Sequence, residues 1–392
     1  MRIRFVGSRW ADMEAAAVVL DADRQQQARR YARLRRRLML VDLLLGACYL
    51  IAWLVLGWSS ELKNALSGWI TNEWLLVAGY AIVFGGVYLL LTLPLSYYEG
   101  FILPHRFGLS NQTRGGWVTD QIKSGMLGGL LGLFVLEVIY AILRSYPQQW
   151  WLLVAGFLLF FNTLLANLAP VLIFPIFYKF TPLQAEHADL VERLVRLSEL
   201  ARTQVRGVFV FDMSRRTKAA NAALVGLGSS RRIILGDVML NEFSVDEIET
   251  VLAHELGHHV HRDIPLGILF GTVTTVVGLY LASLGLEWGV EYFGFDGVAD
   301  IAALPLLGIL LGLYGLITLP LENAYSRWRE VAADRYALQA TGNGAAYASA
   351  LKRLANLNLA EAAPDSWVEL LLYSHPALSK RIAMAEAYQS SQ

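Results

Sequence analysis

Six stretches of the chain are nearly unbroken apolar runs, at about residues 39–58, 74–96, 126–143, 150–178, 264–286 and 301–320. A helix rises about 1.5 Å per residue, so runs of this length cover the roughly 30 Å of hydrocarbon in a bilayer. They predict six membrane-spanning helices. The third is the shortest. The fourth carries Pro170 and Pro175 near its end, where freed backbone groups must find partners inside the protein.

Two stretches break this pattern, about 179–263 and 321–392. In the first, "VRGVFVFDM" (205–213) has the β-branched and aromatic character of a strand. "NAALVGLGSSRRIILGDVML" continues with two more strand-like pieces about a turn at Gly228–Ser230. The expected division is a basic segment (1–38), a four-span region (39–178) with a loop at 97–125, and a soluble part (179–263). A two-span hairpin (264–320) and a C-terminal part (321–392) follow.

Composition agrees with this pattern. Of 392 residues, 55% are hydrophobic and 17% charged, and the mean hydropathy is +0.43. Soluble domains average about 45–50% and 25%. The 33 basic and 33 acidic residues cancel, so no nucleic-acid partner is expected. Cys48 is the sole cysteine, which excludes an intramolecular disulfide. No apolar core of a cleavable signal sequence is visible near the N-terminus.

The placement of Lys and Arg predicts sidedness. "ARRYARLRRR" (28–37) directly precedes the first run. Alternate connections are basic, whereas "EWGVEYFGFDGVAD" (287–300) has no Lys or Arg. Both termini and the soluble parts are expected on the cytoplasmic side, of a bacterial inner membrane for preference, or of an endoplasmic-reticulum type membrane in a eukaryote.

"VLAHELGHHVHRD" (251–263) holds four of the seven histidines. Ser244 followed by Glu247 is a capping-box pattern, so a helix should start there. His254 and His258 then lie one turn apart on one face, where both can bind one Zn2+ with Glu255 beside them as the base. His259 and His261 fit no ligand spacing on that face, and His105 reads as a loop histidine. An open catalytic zinc site uses three protein ligands. The best third donor is Glu330 in "ENAYSRWREVAADRYA". Asp334, four residues on, is placed to accept from a ligand imidazole and fix its tautomer.

The motifs "HELGHH", "NAYSRWREVAAD", "SHPALSKRI", "FPIFYKFTPL" and "EGFILPHRFGLSNQT" resemble those of the CAAX prenyl protease 1 family, integral-membrane zinc endopeptidases. The resemblance covers most of the chain. It implies His254, His258 and Glu330 as ligands and Glu255 as catalytic base. The implied fold is mainly α: a polytopic membrane helical barrel enclosing a chamber, with a zinc metalloprotease (gluzincin-like) α+β domain that contains a small β-sheet. Eukaryotic members of the family usually have seven spans, against six counted here.

Around that site, His375 is a candidate oxyanion donor, or else a structural or surface histidine. Arg327 and Arg381 pair either with Asp334, with a substrate carboxylate, or in a structural ion pair. Asn221 and Ala222 open a segment that is either an edge strand taking a peptide by β-addition or ordinary sheet. The function expected is hydrolysis of peptide bonds in membrane-associated peptides or proteins, prenylated CAAX-type ones among them. The alternatives are a quality-control protease with the same chemistry and a non-catalytic scaffold holding structural zinc. Glu255 argues against the scaffold, since a structural site needs no base. A transporter is the weakest reading, since only Asp42 and Glu137 are charged within spans.

Overall fold

The computed structural model describes residues 18–183, 187–226 and 231–392. The front of the basic segment and the turn expected at Gly228–Ser230 lie outside the described residues.

Asp21 opens the first of the described helices, α1 (Ala22–Val55), its carboxylate accepting from the backbone N–H groups of Asp23 and Arg24. The arginine-rich segment and the first apolar run are therefore one continuous helix. A short α2 (Trp58–Ser67) leads into α3 (Glu73–Tyr97), which runs on through a π-helical turn (Tyr98–Ile102) to Arg106. Then come α4 (Arg114–Ser145) and α5 (Trp150–Leu168). A second π-helical turn (Ala169–Ile173) and Phe174–Phe177 extend α5. Pro170 sits in that turn, where the wider winding absorbs its missing N–H.

The expected loop at 97–125 is helical apart from residues 107–113. Hydropathy marks only the part of a helix matched to hydrocarbon, and these helices run past it. The short connection is pinned to the soluble part, where Asn111 donates to the Arg216 carbonyl (3.0 Å) and Lys218 to that of Leu109 (2.9 Å).

The next elements are β1 (Phe180–Pro182), α6 (Ala188–Leu200), β2 (Val208–Phe211), β3 (Ala222–Val225), β4 (Arg232–Gly236), α7 (Asp237–Glu242) and α8 (Val245–Val260). The four strands form one mixed sheet in the order β1-β2-β4-β3. β2 and β4 run parallel, and β3 lies antiparallel to β4 with Ala222 opposite Leu235. β3 is thus an edge strand. After α8 come α9 (Asp263–Phe293) and α10 (Leu304–Thr341), then α11 (Gly344–Leu357), α12 (Ser366–Leu372) and α13 (Leu378–Ser390). The domain limit expected after residue 320 falls inside α10, so the sixth apolar run and the Glu330 segment are a single rod.

Among the described residues six helices are long and apolar enough to cross a membrane: α1, α3, α4, α5, α9 and α10 with their extensions. Leu90, Met126, Phe160 and Ile317 stay exposed on them, as a lipid-facing surface requires. One core sits among these helices around Tyr80, Tyr140, Trp150, Leu286 and Leu306. A second joins the sheet to α8, α11 and α13 through Ile233, Leu235, Leu252, Leu256, Leu351 and Ile382.

The contact that brings the two halves together is at Gly257. A Cβ there would stand 2.9 Å from the Ala333 Cα and 3.1 Å from the Ala333 carbonyl. Only glycine lets α8 lie this close to α10, and backbone cannot swing aside as a side chain can. Gly257→Ala is expected to destabilise the protein by about 1–3 kcal/mol and to lower bound metal at the same time. Thermal unfolding and metal content on one sample check both; unchanged metal content would show that the close approach does not set the site.

Candidate metal centre

The helix α8 begins where the capping-box pattern places it. Ser244 Oγ accepts from the Glu247 backbone N–H (3.3 Å), and Glu247 Oε2 accepts from that of Ser244 (2.8 Å). Two turns later the close contact with α10 sets His254 and His258 against Glu330. His254 Nε2 lies 3.3 Å from His258 Nε2 and 3.3 Å from Glu330 Oε2, and His258 Nε2 lies 3.4 Å from Glu330 Oε1.

Each ring's other nitrogen faces a carboxylate. His254 Nδ1 is 2.9 Å from Asp334 Oδ1, and His258 Nδ1 is 2.8 Å from Asp263 Oδ2. A carboxylate only accepts, so each Nδ1 carries a hydrogen, and in the neutral ring each Nε2 turns a lone pair inward. Glu330 Oε2, also facing inward, is buried without a hydrogen-bond partner among the described residues. Acceptors turned on one another need a cation between them. Separations of 3.3–3.4 Å match the edge of a tetrahedron with bonds of about 2.0–2.1 Å. The donor set fits a small tetrahedral metal ion.

A buried network holds these groups. Arg381 reaches Asp334 with Nε (2.8 Å) and Nη2 (2.6 Å). Tyr347, from α11, donates to Asp334 and accepts from Arg381 Nη2 (3.0 Å). Burial opposes the Arg381 charge, but Tyr347 and Asp334 outweigh it and hold its pKa above the ordinary value. On the other side Arg329 pairs with Asp263. Asp263, Arg329 and Tyr347 were not picked out in the sequence. Asp263 lies five residues beyond His258, off its helical face, and reaches it only because Arg262 adopts a left-handed conformation (φ 56°) between α8 and α9.

Glu255 is half-buried beside the two histidines. Burial raises its pKa above the usual carboxylate range, and the charges of His254 and His258 partly offset that. His375 Nε2 lies 3.2 Å from Glu330 Oε1, its ring largely exposed. Arg327 is not on Asp334; Arg381 takes that place. Arg327 Nη1 instead donates to the carbonyls of Glu369 (2.9 Å) and Tyr373 (2.6 Å), at the end of α12. It fixes the segment that presents His375. Asn221, Arg381 and His375 line one cavity of about 870 Å3, together with Arg35 and Arg36 of α1. Ala222, next to Asn221, opens the edge strand, and the His105 ring meets the carbonyls of Phe101 and Gln112.

Residues 183–389 match Peptidase family M48, and residues 13–179 match the CAAX prenyl protease N-terminal family, described as five membrane helices. The chain belongs to peptidase family M48. Four of the six membrane-length helices of this M48 peptidase fall within the N-terminal match. It is 28% identical over 368 residues to "Uncharacterized metalloprotease YhfN" of Bacillus subtilis, covering 93% of this chain and 86% of that one. It is 33% identical over 311 residues to CAAX prenyl protease 1 of Saccharomyces cerevisiae, covering 75% of this chain and 68% of the yeast protein. The crystal structure of S. mikatae Ste24p superposes with a TM-score of 0.81 at 25% identity, over 95% of this chain and 92% of that one. The protein is a multi-pass membrane metalloendopeptidase of the CAAX prenyl protease family, on the Ste24p fold.

Without a metal, a proton on His254 meets the same need: burial opposes a charge on the ring, but Asp334 and Glu330 outweigh it and push its pKa up to about 9. A raised pKa means the proton is bound below about 9, so an incoming metal must displace it. Metal affinity is expected to rise with pH up to that value, and metal uptake near neutral pH to release about one proton. Dye-monitored titration in weak buffer reads this directly, and uptake without proton release would contradict it. Asp334→Asn is expected to weaken metal binding by about 10–100-fold, measured by competition with a chelator.

Proposed function

We propose that this protein is a zinc endopeptidase of membrane-associated peptides, with His254, His258 and Glu330 as metal ligands and Glu255 as general base. The observation that carries the reading is the set of three inward acceptors at tetrahedral-edge spacing, one of them an orphaned buried oxygen. Two imidazoles and one carboxylate are the donor set of open catalytic zinc sites. Bound there, zinc supplies Lewis-acid polarisation of a scissile carbonyl and lowers the pKa of water towards neutrality.

The chain's own groups do the rest. The Glu255 carboxylate accepts the proton lost by the attacking water. It then delivers that proton to the departing amine nitrogen as the C–N bond breaks, which balances the hydrolysis. A carboxylate with a raised pKa suits both steps, since it must also release the proton it takes. His375, held by the segment that Arg327 pins, donates from Nε2 to the carbonyl oxygen as negative charge grows there. Asp334, Arg381 and Tyr347 hold the His254 ring in place. Extended substrate pairs along β3 from Ala222, with Asn221 beside the cavity.

The setting and the relatives support lipid-anchored peptides as the substrate class. The yeast relative is named a CAAX prenyl protease, and the cavity opens between the base of a membrane helix and the metal site. Lipid-anchored peptides are therefore the substrates to offer first. The basic start of α1 supports a site facing the cytoplasm by the positive-inside rule, and the likeness to the Bacillus protein supports a bacterial inner membrane.

The test is cleavage of a quenched fluorescent peptide, farnesylated and plain, by detergent-purified protein. Glu255→Gln is expected to keep its zinc and lose activity by about 10²–10⁴-fold, and chelation to abolish activity until zinc is restored. Equal activity in Glu255→Gln would end the assignment of the base. Preference for the plain peptide would move the substrate away from lipidated ends, towards clearance of unfolded membrane proteins.

A further inference from the structure

A second cavity, of about 610 Å3, lies apart from the metal centre. Arg30, Arg33 and Arg37 line it from α1, and Arg106, Phe107 and Gly108 close it where the extension of α3 ends. The three α1 arginines are three and four residues apart, hence on one helical face. No acidic residue lines this cavity, and none of its four guanidiniums pairs with a carboxylate among the described residues. Arg33 donates only to the Arg29 carbonyl, at 3.4 Å. Other arginines of the same helix are partnered: Arg36 with Glu361, and Arg24 with the Asn356 carbonyl. Three arginines without a carboxylate partner among the described residues thus share the face that looks into this cavity.

Four like charges around one cavity repel, and an anion between them reverses the sign of that interaction. The position says which anion. Met39, Leu40 and Val41 follow Arg37 on α1 and are exposed, as is Ile102 one turn before Arg106. Arg37 and Val41 are about 6 Å apart along the axis. The cavity therefore sits where, on both helices, charge gives way to lipid-facing apolar surface. We propose that it binds the phosphate headgroup of an anionic phospholipid, whose acyl chains lie along the apolar faces of α1 and α3. A soluble phosphate would leave that apolar wall unused. The opposite side of α1 carries Arg35 and Arg36 into the catalytic cavity, and Glu99 enters it from the extension of α3. A lipid bridging the two helices would fix the width of that cavity's wall.

The test uses the full-length protein in detergent, titrated with phosphatidylglycerol, phosphatidylcholine or inorganic phosphate, with thermal unfolding and native mass spectrometry as readouts. Phosphatidylglycerol is expected to raise Tm and stay bound, because a ligand selective for the folded state stabilises it; phosphatidylcholine is not. R33Q/R106Q is expected to weaken phosphatidylglycerol binding by about tenfold or more, while R29Q/R114Q, with the same charge loss outside the cavity, retains it. Metal content reports folding, and R30Q/R37Q is the second pair should R33Q/R106Q not fold. The proposal is overturned if the cavity variants bind phosphatidylglycerol as wild type does, or if R29Q/R114Q loses it equally, which would mean diffuse surface charge. It is also overturned if inorganic phosphate raises Tm as much as phosphatidylglycerol, which would make the ligand a soluble anion.

Discussion

Three electron-pair donors are held in mutual contact and need a cation, a metal ion or a displaceable proton, between them. Two imidazole Nε2 atoms and a buried carboxylate oxygen converge at 3.3–3.4 Å, an arrangement that repels itself unless a positive charge fills the centre. The chain sustains it by fixing each group from behind. Asp334 and Asp263 take the outer N–H of the two rings, and Arg381 and Arg329 hold those carboxylates. The contact of α8 with α10 over Gly257 then sets the spacing. With any of these supports removed, the acceptors could relax apart and the preference for a metal ion would fall.

This constraint also explains why protease and membrane parts are interleaved along the chain. The ligand helix α8 turns through Arg262 directly into the membrane-length α9, and Asp263, the first residue of α9, orients His258. Glu330 sits on the same continuous helix as the sixth apolar run. The metal cluster is therefore tied on both sides to membrane-length helices, through Asp263 at the start of α9 and Glu330 on α10, and the site stays registered with the lipid-facing frame. A peptide anchored at the surface would meet the site at a fixed depth, as the proposed activity on membrane-associated chains requires.

Much of this was legible in the sequence because it is local. The capping box at Ser244, the one-turn spacing of His254 and His258, the Glu330–Asp334 pair and the six apolar runs each rest on a helical period or a length. What was missed depends on the chain meeting itself. Tyr347 comes from a helix with no visible motif, and Asp263 needs a left-handed residue before it. Gly257 reads as a neutral filler of the motif until the Ala333 backbone is found against it. Arg327 lies seven residues before Asp334, so helical spacing offers it as a partner, but Arg381 from a distant helix has already filled the place. The loop expected at 97–125 is mostly helix for a related reason: apolar pattern ends at the edge of the hydrocarbon, and backbone hydrogen bonding does not.

The most direct measurement is X-ray absorption at the zinc edge on the purified protein and on its Glu330→Ala variant. A four-coordinate zinc with two imidazole nitrogens and a carboxylate oxygen at about 2.0–2.1 Å is expected in the wild type, and loss of the metal or of that oxygen in the variant. A spectrum unchanged by the substitution, or one showing three or more imidazoles, would contradict the convergence of α8 and α10 on one metal ion.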